Sequence, residues 1–402
     1  MSTPQPRRVA FVVQRYGPDV TGGSESLARA IAERLVPQDQ VTVFTTCARD
    51  YVTWRNELPE GPGETAGVTV LRFPSEEERD LEAFNRFAEP LYLRPTTREE
   101  EHLFLRRQGP YAPRLVEALG ARQGEFDAIL YFTYLYYPTY GGLKVAGERS
   151  ILVPTTHDEP PLRFGIYREV FEIPRAFAFL TEPEAALVRS RFFVAGRPAL
   201  VTGIGVDTPA APRVDSFRQR HGIRGPYALY AGRIDAGKGC SEMLSFFQRF
   251  RAEGRGPLDL LLIGTLAMAA PAIPGVRYLG YLAEEDKQAA LAGATVVVCP
   301  SSFESLSIVL LEAFALGIPA LANARSPVLK DHCLRSNAGL FYEDKEEFVE
   351  ALDLLGRDAT LRRALGENGR SYVGHSYRWD AVLARYRSLI DEVSGRPTEP
   401  VP

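Results

Sequence analysis

Glu304 and Glu312 lie eight residues apart in a stretch of three unlike parts: an apolar β-type run at 295–299, a turn at Pro300-Ser301-Ser302-Phe303, and an apolar helical run that closes at Gly317. A strand, a loop and a helix start in that order put Glu304 at the helix mouth and Glu312 roughly 12 Å further along the axis. Carboxylates so spaced could hold hydroxyls at the two ends of a nucleotide sugar, with the sugar at one and the ribose at the other. The diphosphate between them would meet the unpaired N–H groups and the positive dipole end of the helix start. Eight residues rotate a regular helix by about 80° away from a shared face, so the arrangement requires Glu304 to belong to the loop. A surface turn glutamate and a solvated helix glutamate produce the same spacing, and the rest of the chain has to decide.

Other stretches carry groups of the same kind. Arg233 and Lys238 stand in Gly232-Arg233-Ile234-Asp235-Ala236-Gly237-Lys238-Gly239, between the apolar run 227–231 and a helical run at 240–251. Glycines let the backbone approach a phosphate, and a guanidinium with an ammonium can neutralise one; a solvated basic loop is the bland reading. His157, in Thr155-Thr156-His157-Asp158-Glu159-Pro160, follows the strand run 151–154. It therefore sits at the strand end where open α/β sheets bind ligands, although a lone histidine is more often structural. Tyr134, Tyr136, Tyr137 and Tyr140 crowd a loop after the 128–132 run, as an acceptor platform or as ordinary packing would. Gly22-Gly23 closes the loop after the first strand run, 9–13, ahead of a helix that Ser24 is expected to cap. Alone it is a weak signal, lacking the spacing of dinucleotide-binding glycines.

Rigid elements must hold these groups, and the chain has two sets of them. Strand runs at 41–45, 68–73, 128–132, 151–154, 176–180 and 199–202 alternate with helical patterns, and a second alternation has runs at 227–231, 258–263, 276–279, 295–299 and 318–322. Such alternation predicts an α/β protein whose parallel sheets are covered on both faces. The region 75–122 is charged and helical and reads as an insertion. A Gly/Pro-rich stretch at 203–212 reads as a linker, dividing an N-terminal domain, 1–207, from a C-terminal one, 208–375. Further helical runs follow, and 395–402 reads as a frayed tail.

Composition bounds the function. The 402 residues, 45% hydrophobic and 24% charged, suffice for two or three ordinary globular cores. A net charge of −4 argues against a nucleic-acid partner. Cys47, Cys240, Cys299 and Cys333 have no paired spacing and read as reduced core residues of a cytoplasmic protein.

Taken together, these residues resemble the retaining glycosyltransferases of family 4, whose GT-B fold has two Rossmann-like domains facing a central cleft. The likeness rests on Gly22-Gly23, Gly205-Val206-Asp207, Gly232-Arg233 with Lys238-Gly239, Glu304 to Glu312, and Ser376-Tyr377-Arg378-Trp379, in that order over nearly the whole chain. It implies that 1–207 binds the acceptor, that 208–375 binds the donor, and that a helix at 376–394 crosses back to the first domain, with Trp379 packed at the junction. It further implies that Arg233 and Lys238 bind the donor diphosphate and that Glu304 holds the sugar hydroxyls. Ser305, Leu306, Ser307 and Ile308 would line the phosphates, Glu312 would take the ribose, and Gly280-Tyr281-Leu282 would meet the base mainly through the backbone. His157 would contact the transferred sugar near its reacting carbon, and Gly22 and Gly23 would offer backbone to the phosphate once the domains close. His157, Glu304, Arg233 and Lys238 are thereby the candidate catalytic residues, with Tyr134, Tyr136 and Tyr137 as candidate acceptor contacts. Many members have glycines where this chain has Ser305, Leu306 and Ser307; the N–H groups survive that change, but the pocket beside the sugar does not keep its shape.

The expected reaction moves a hexose-type sugar, with retention and without a metal, from a UDP- or GDP-linked donor to a hydroxyl of a glycan, glycolipid or small molecule, in bacterial-type polysaccharide or glycoconjugate assembly. No cofactor beyond the donor substrate is implied, and no metal-ligand spacing occurs. The alternatives are a GT-B-like nucleotide-sugar epimerase or hydrolase and a catalytically inactive nucleotide-sugar-binding subunit. A weak peripheral association with the inner face of a membrane is expected at Arg94, Arg98, Arg106, Arg107 and Arg114 beside Leu103, Phe104 and Leu105, opposed by the acidic run Glu99-Glu100-Glu101.

Overall fold

A computed structural model describes residues 5–207 and 212–397. The chain forms two compact units, one made of residues up to 204 together with those from 380 onward, the other of residues 205–379. Residues 208–211 of the expected linker and 398–402 of the expected tail lie outside the described residues.

The first unit is built on strands β1 (Arg8–Val12), β2 (Gln40–Thr46), β3 (Gly61–Thr65), β4 (Val68–Phe73), β5 (Ala128–Phe132), β6 (Ser150–Val153), β7 (Ala176–Phe179) and β8 (Ala199–Val201). They form one sheet in the order β3-β4-β2-β1-β5-β6-β7-β8, parallel except where β3 runs against β4. Helices α1 (Gly23–Leu35), α2 (Leu81–Leu91), α3 (Arg98–Gln108), α4 (Pro113–Arg122), α5 (Tyr137–Val145), α6 (Gly165–Glu172) and α7 (Glu182–Arg191) belong to the same unit. The central strands are buried along their length, as in Ala128-Ile129-Leu130-Tyr131-Phe132, which is why they read as unbroken apolar runs and not as alternation.

The second unit has strands β9 (Tyr227–Ala231), β10 (Asp259–Ile263), β11 (Val276–Tyr278), β12 (Val296–Cys299), β13 (Ala320–Asn323) and β14 (Gly339–Tyr342). All are parallel, in the order β11-β10-β9-β12-β13-β14. Its helices are α8 (Val214–His221), α9 (Cys240–Ala252), α10 (Glu284–Ala292), α11 (Ile308–Leu316), α12 (Pro327–Ser336), α13 (Lys345–Arg357) and α14 (Ala359–Ser376). Chain order reverses at the β9/β12 pair, where Val296 stands beside Ala228 and Val297 beside Leu229. A crevice outside the carboxyl ends of the strands opens at such a reversal, and the two loops that enter it are 232–239 and 300–307.

Several expectations change. β3 was not foreseen, because the glycines and proline of Gly61-Pro62-Gly63 are poor strand formers; pairing with β4 makes it an edge strand. The expected insertion at 75–122 is part of the core, since Phe84, Leu91, Phe104, Leu105, Leu115 and Leu119 pack with Phe44, Ile129 and Tyr131. Ser24 does not cap α1; the helix starts at Gly23, and the Ser24 hydroxyl donates to Glu25 instead. The tyrosine-rich loop after β5 is short, because α5 already begins at Tyr137.

The last helix, α15 (Trp379–Ser394), returns the chain to the first unit from residue 380. Arg7 holds both oxygens of its Asp391 at 2.7 Å, and Arg7 and Arg387 reach the fully buried Asp39. Removing the Asp391 carboxylate leaves the largely buried guanidinium only Asp39, which Arg387 also engages. Asp391→Ala is expected to lower the unfolding free energy by about 3 kcal/mol, and the exposed neighbour change Glu392→Ala by under about 0.5 kcal/mol, measured by urea unfolding of the intact chain.

Candidate active site

The second unit brings Arg233, Lys238 and Glu304 together through two neighbouring loops, and Glu312 lies on the helix that follows. Gly239, with φ 75°, ends the loop after β9 and lies so close to the first residue after β12 that a Cβ would collide with the Pro300 carbonyl oxygen. The Asn323 side-chain amide donates to that same carbonyl at 2.9 Å. Asp235 shapes the rest of the loop: one oxygen accepts the Lys238 N–H at 2.7 Å, and the other pairs with the Arg233 guanidinium. Tyr230 donates its hydroxyl proton to the Arg233 carbonyl at 2.6 Å. With both loops so placed, the Lys238 ammonium lies 2.9 Å from Glu304, which belongs to the loop as the spacing argument requires.

Glu304-Ser305-Leu306-Ser307 then turns into α11. Ser307 adopts φ 66°, ψ 77° and makes no side-chain cap, so the helix starts at Ile308 without a capping oxygen on its first N–H groups. Glu312 sits one turn in. Lys287 of α10 holds one oxygen at 2.8 Å and also reaches Glu284 at 3.1 Å. The other oxygen, Oε2, is buried with no hydrogen-bond partner. Burial pushes the Glu312 carboxyl above its usual range, and Lys287 offsets this only in part. Burial also opposes the charge on Lys287, but Glu312 and Glu284 outweigh it and keep its ammonium above the usual lysine range. Tyr281 follows β11 with an exposed ring, and Leu282 is half-buried beside it.

In the first unit, His157 lies just past β6, its Nε2 3.4 Å from Glu159. Glu159 accepts the hydroxyl proton of Tyr134 at 2.7 Å. Thr133 and Thr155, at the ends of the adjacent strands β5 and β6, have φ 66° and 51°, and their hydroxyls are 2.5 Å apart. Left-handed β-branched residues are uncommon and store strain. Glu184 of α7 pins the same strand end by accepting the Thr156 and Leu180 N–H groups at 2.5 and 2.6 Å.

Of the acceptor candidates, Tyr134 needs correction. Tyr134 is wholly buried against Tyr167 and Phe171; with no face left for a ligand, it is packing that braces Glu159. Tyr136 and Tyr137 are half-buried, the first edge-on to Trp54 at 5.5 Å and the second edge-on to Tyr111 at 4.6 Å. Gly22 lies against its own helix, where a Cβ would strike the Glu25 carboxylate, and Gly23 opens α1. The basic residues weighed for a membrane are mostly neutralised: Arg94 pairs with Glu100, Arg98 with Glu169, Arg106 with Glu77 and Arg114 with Glu60, while Arg107 lies over the Phe87 ring. Among the described residues no helix is long and apolar enough to cross a membrane, and no three His, Cys, Asp or Glu side chains gather as a metal-holding group.

Sequence reasoning missed Asp235, Lys287 and the buried Arg15–Glu25 pair, in which Glu25 Oε1 accepts from Arg15 Nε at 2.9 Å. Asp235 could have been found, since Asp followed three residues later by a loop N–H is a capping signature. Lys287 reads as a surface partner of Glu284 at i,i+3, and nothing in its spacing points to Glu312.

Two Rossmann-like units of this kind define the GT-B fold. Sucrose-phosphate synthase from Thermosynechococcus elongatus superposes with a TM-score of 0.73 at 18% identity, over 97% of this chain and 99% of that one. Anabaena HepE, solved in complex with UDP and glucose, gives 0.66 at 13% identity, over 96% and 100%. Residues 214–372 match the model of the family described as Glycosyl transferases group 1. Glycogen synthase of Thermus thermophilus is 32% identical over 187 residues, 45% of this chain and 42% of the relative, so the chain spans less than half the length of that relative.

The Glu184 carboxyl, forced by burial up to about 8, generates a pH dependence. A carboxyl raised in the folded state and ordinary in the unfolded one contributes stability below about pH 4.5, and that contribution is lost as pH rises through about 8. Unfolding of the first unit should therefore become easier from pH 5 to pH 8, and Glu184→Gln should flatten that slope by about one proton's worth. Urea unfolding across the pH series checks this.

Proposed function

We propose that the protein is a retaining, metal-independent glycosyltransferase that moves a hexose-type sugar from a UDP- or GDP-linked donor to a hydroxyl acceptor, in polysaccharide or glycoconjugate assembly. The observation that carries this reading is the Lys238–Glu304 pair at the start of α11, with the partnerless oxygen of Glu312 one turn beyond it. The family model that residues 214–372 match and the UDP bound by HepE support a nucleotide sugar as the donor. The four cysteines are buried free thiols, which supports a reducing, cytoplasmic setting.

Without ligand, the cations and carboxylates of the site neutralise one another, Lys238 with Glu304 and Arg233 with Asp235. Partly exposed pairs of this sort are held by about 0–1 kcal/mol, so an arriving diphosphate can take both cations. Glu304 is then free to accept hydrogen bonds from the sugar's hydroxyls, and Glu312 Oε2 accepts one from the ribose. As the bond between the anomeric carbon and the phosphate oxygen breaks, charge builds on that oxygen, where Arg233, Lys238 and the first N–H groups of α11 stabilise it. The acceptor hydroxyl attacks from the same face and passes its proton to the departing oxygen. The role of His157 at the transferred sugar is carried into this reading from the family resemblance alone. An epimerase or hydrolase would form product without an acceptor, and a binding-only subunit would form none.

A thermal-shift series with UDP- and GDP-linked sugars should find one donor that, at 100 times its dissociation constant, adds about 2.7 kcal/mol. Lys238→Ala and Arg233→Ala should each lower kcat/KM by roughly a hundredfold with little change in melting temperature, whereas Glu312→Ala should mainly weaken nucleotide binding. Unaltered kinetics in the first two variants would overturn the diphosphate assignment.

A further inference from the structure

Behind the 304–307 turn lies a histidine with no place in the chemistry above. His332 of α12 is 1% exposed, with Nε2 2.9 Å from the Leu306 carbonyl oxygen and Nδ1 3.0 Å from the Tyr372 hydroxyl. Burial pushes its imidazole down to about 4, so the ring is neutral and carries one proton. A carbonyl can only accept, which puts that proton on Nε2. Nδ1 must then accept from Tyr372, and because the Tyr372 proton is committed, the Tyr377 hydroxyl at 3.3 Å must donate to Tyr372. The result is a chain of one direction: Tyr377 to Tyr372 to His332 to the Leu306 carbonyl. Its rings also pack, with centroids 6.0 Å apart for His332 and Tyr372 and 5.4 Å for the two tyrosines.

Both ends of this chain are fixed to backbone that matters. Tyr377 accepts the Val206 N–H on its own carbonyl at 2.9 Å, where the chain enters and leaves the second unit. At the other end, Leu306 is 3% exposed and lies between Glu304, which holds Lys238, and Ser307 with its φ of 66°. A left-handed non-glycine residue costs about 1–2 kcal/mol and persists only where its surroundings over-determine it. The ring of His332, bonded to the preceding carbonyl, is such a determinant.

We propose that His332 is a positioning residue for donor binding: by holding the Leu306 carbonyl it keeps Ser307 left-handed and sets the direction in which the turn and the first N–H groups of α11 face. This rests on the donor reading of that turn. Tyr372 and Tyr377 select the tautomer that makes it work.

The test uses the intact protein as wild type, His332→Gln, His332→Leu and Tyr372→Phe, with two measurements. The first is amide hydrogen exchange of residues 304–310 without ligand; the second is calorimetric binding of UDP and of GDP. In His332→Leu, exchange at 304–310 should quicken roughly tenfold and the bound nucleotide should weaken roughly fivefold, the ratio carried by one ordinary hydrogen bond. His332→Gln can still donate to Leu306 and accept from Tyr372, and should stay within about twofold of wild type on both. Tyr372→Phe, which only deletes a hydroxyl, should fall between them and carries the test if His332→Leu does not fold. Exchange at 304–310 unmoved in Tyr372→Phe and in whichever His332 variants fold, or equal behaviour of the Leu and Gln variants, overturns the proposal. Wild type that binds neither UDP nor GDP overturns the donor reading instead, and the exchange comparison still decides whether His332 holds the turn.

Discussion

The second unit's site depends on the close seat of Gly239 against the Pro300 carbonyl. Two neighbouring parallel strands, β9 and β12, deliver loops to the same end of the sheet, but adjacency alone leaves those loops free to diverge. A glycine in the left-handed region removes the side chain that would keep them apart, and Asn323 ties the same carbonyl from β13. Only then can a lysine on one loop meet a glutamate on the other. The position of Lys238 thus follows from backbone packing as much as from its own charge.

Charge in the described site is balanced before any ligand arrives. Lys238 and Glu304, Arg233 and Asp235, and Lys287 and Glu312 each form a pair within the second unit. The first two are partly exposed and easily exchanged for a stronger anion, whereas Glu312 is largely covered and held by a lysine that is itself largely covered. The difference suits the two tasks proposed for them, since phosphate capture needs cations that can change partner and a ribose contact needs a carboxylate that does not move. Glycine has another use in the first unit, where Gly22 makes room for the Glu25 carboxylate that Arg15 neutralises.

Much of the fold was legible because its cause is local. Runs such as Val296-Val297-Val298 have no polar face, and only a sheet covered on both sides accommodates them; the helices between announce parallel order. The edge strand β3 was not legible, because its glycines and proline are poor strand formers and its pairing with β4 alone makes it a strand. The helices of 75–122 read as an insertion since their charged faces dominate the composition, while the apolar stripe that joins the core is thin. Tyr134 reads like its neighbours Tyr136 and Tyr137, and only packing shows that its ring is enclosed.

The sequence by itself determined which groups could do the chemistry and in what order the strands and loops bring them: Arg233 and Lys238 after one strand, Glu304 and Glu312 around the next helix. Those are consequences of residue type and periodicity, which act over a few residues. The tertiary structure alone decided which charges meet, that Lys287 takes Glu312, that Asp235 holds Arg233, and that a buried histidine braces the turn between them. Apart from the local Arg233–Asp235 pair, these contacts join residues 25 to 66 positions apart, and no spacing in the chain encodes them because they exist only once the sheet has set its strand order.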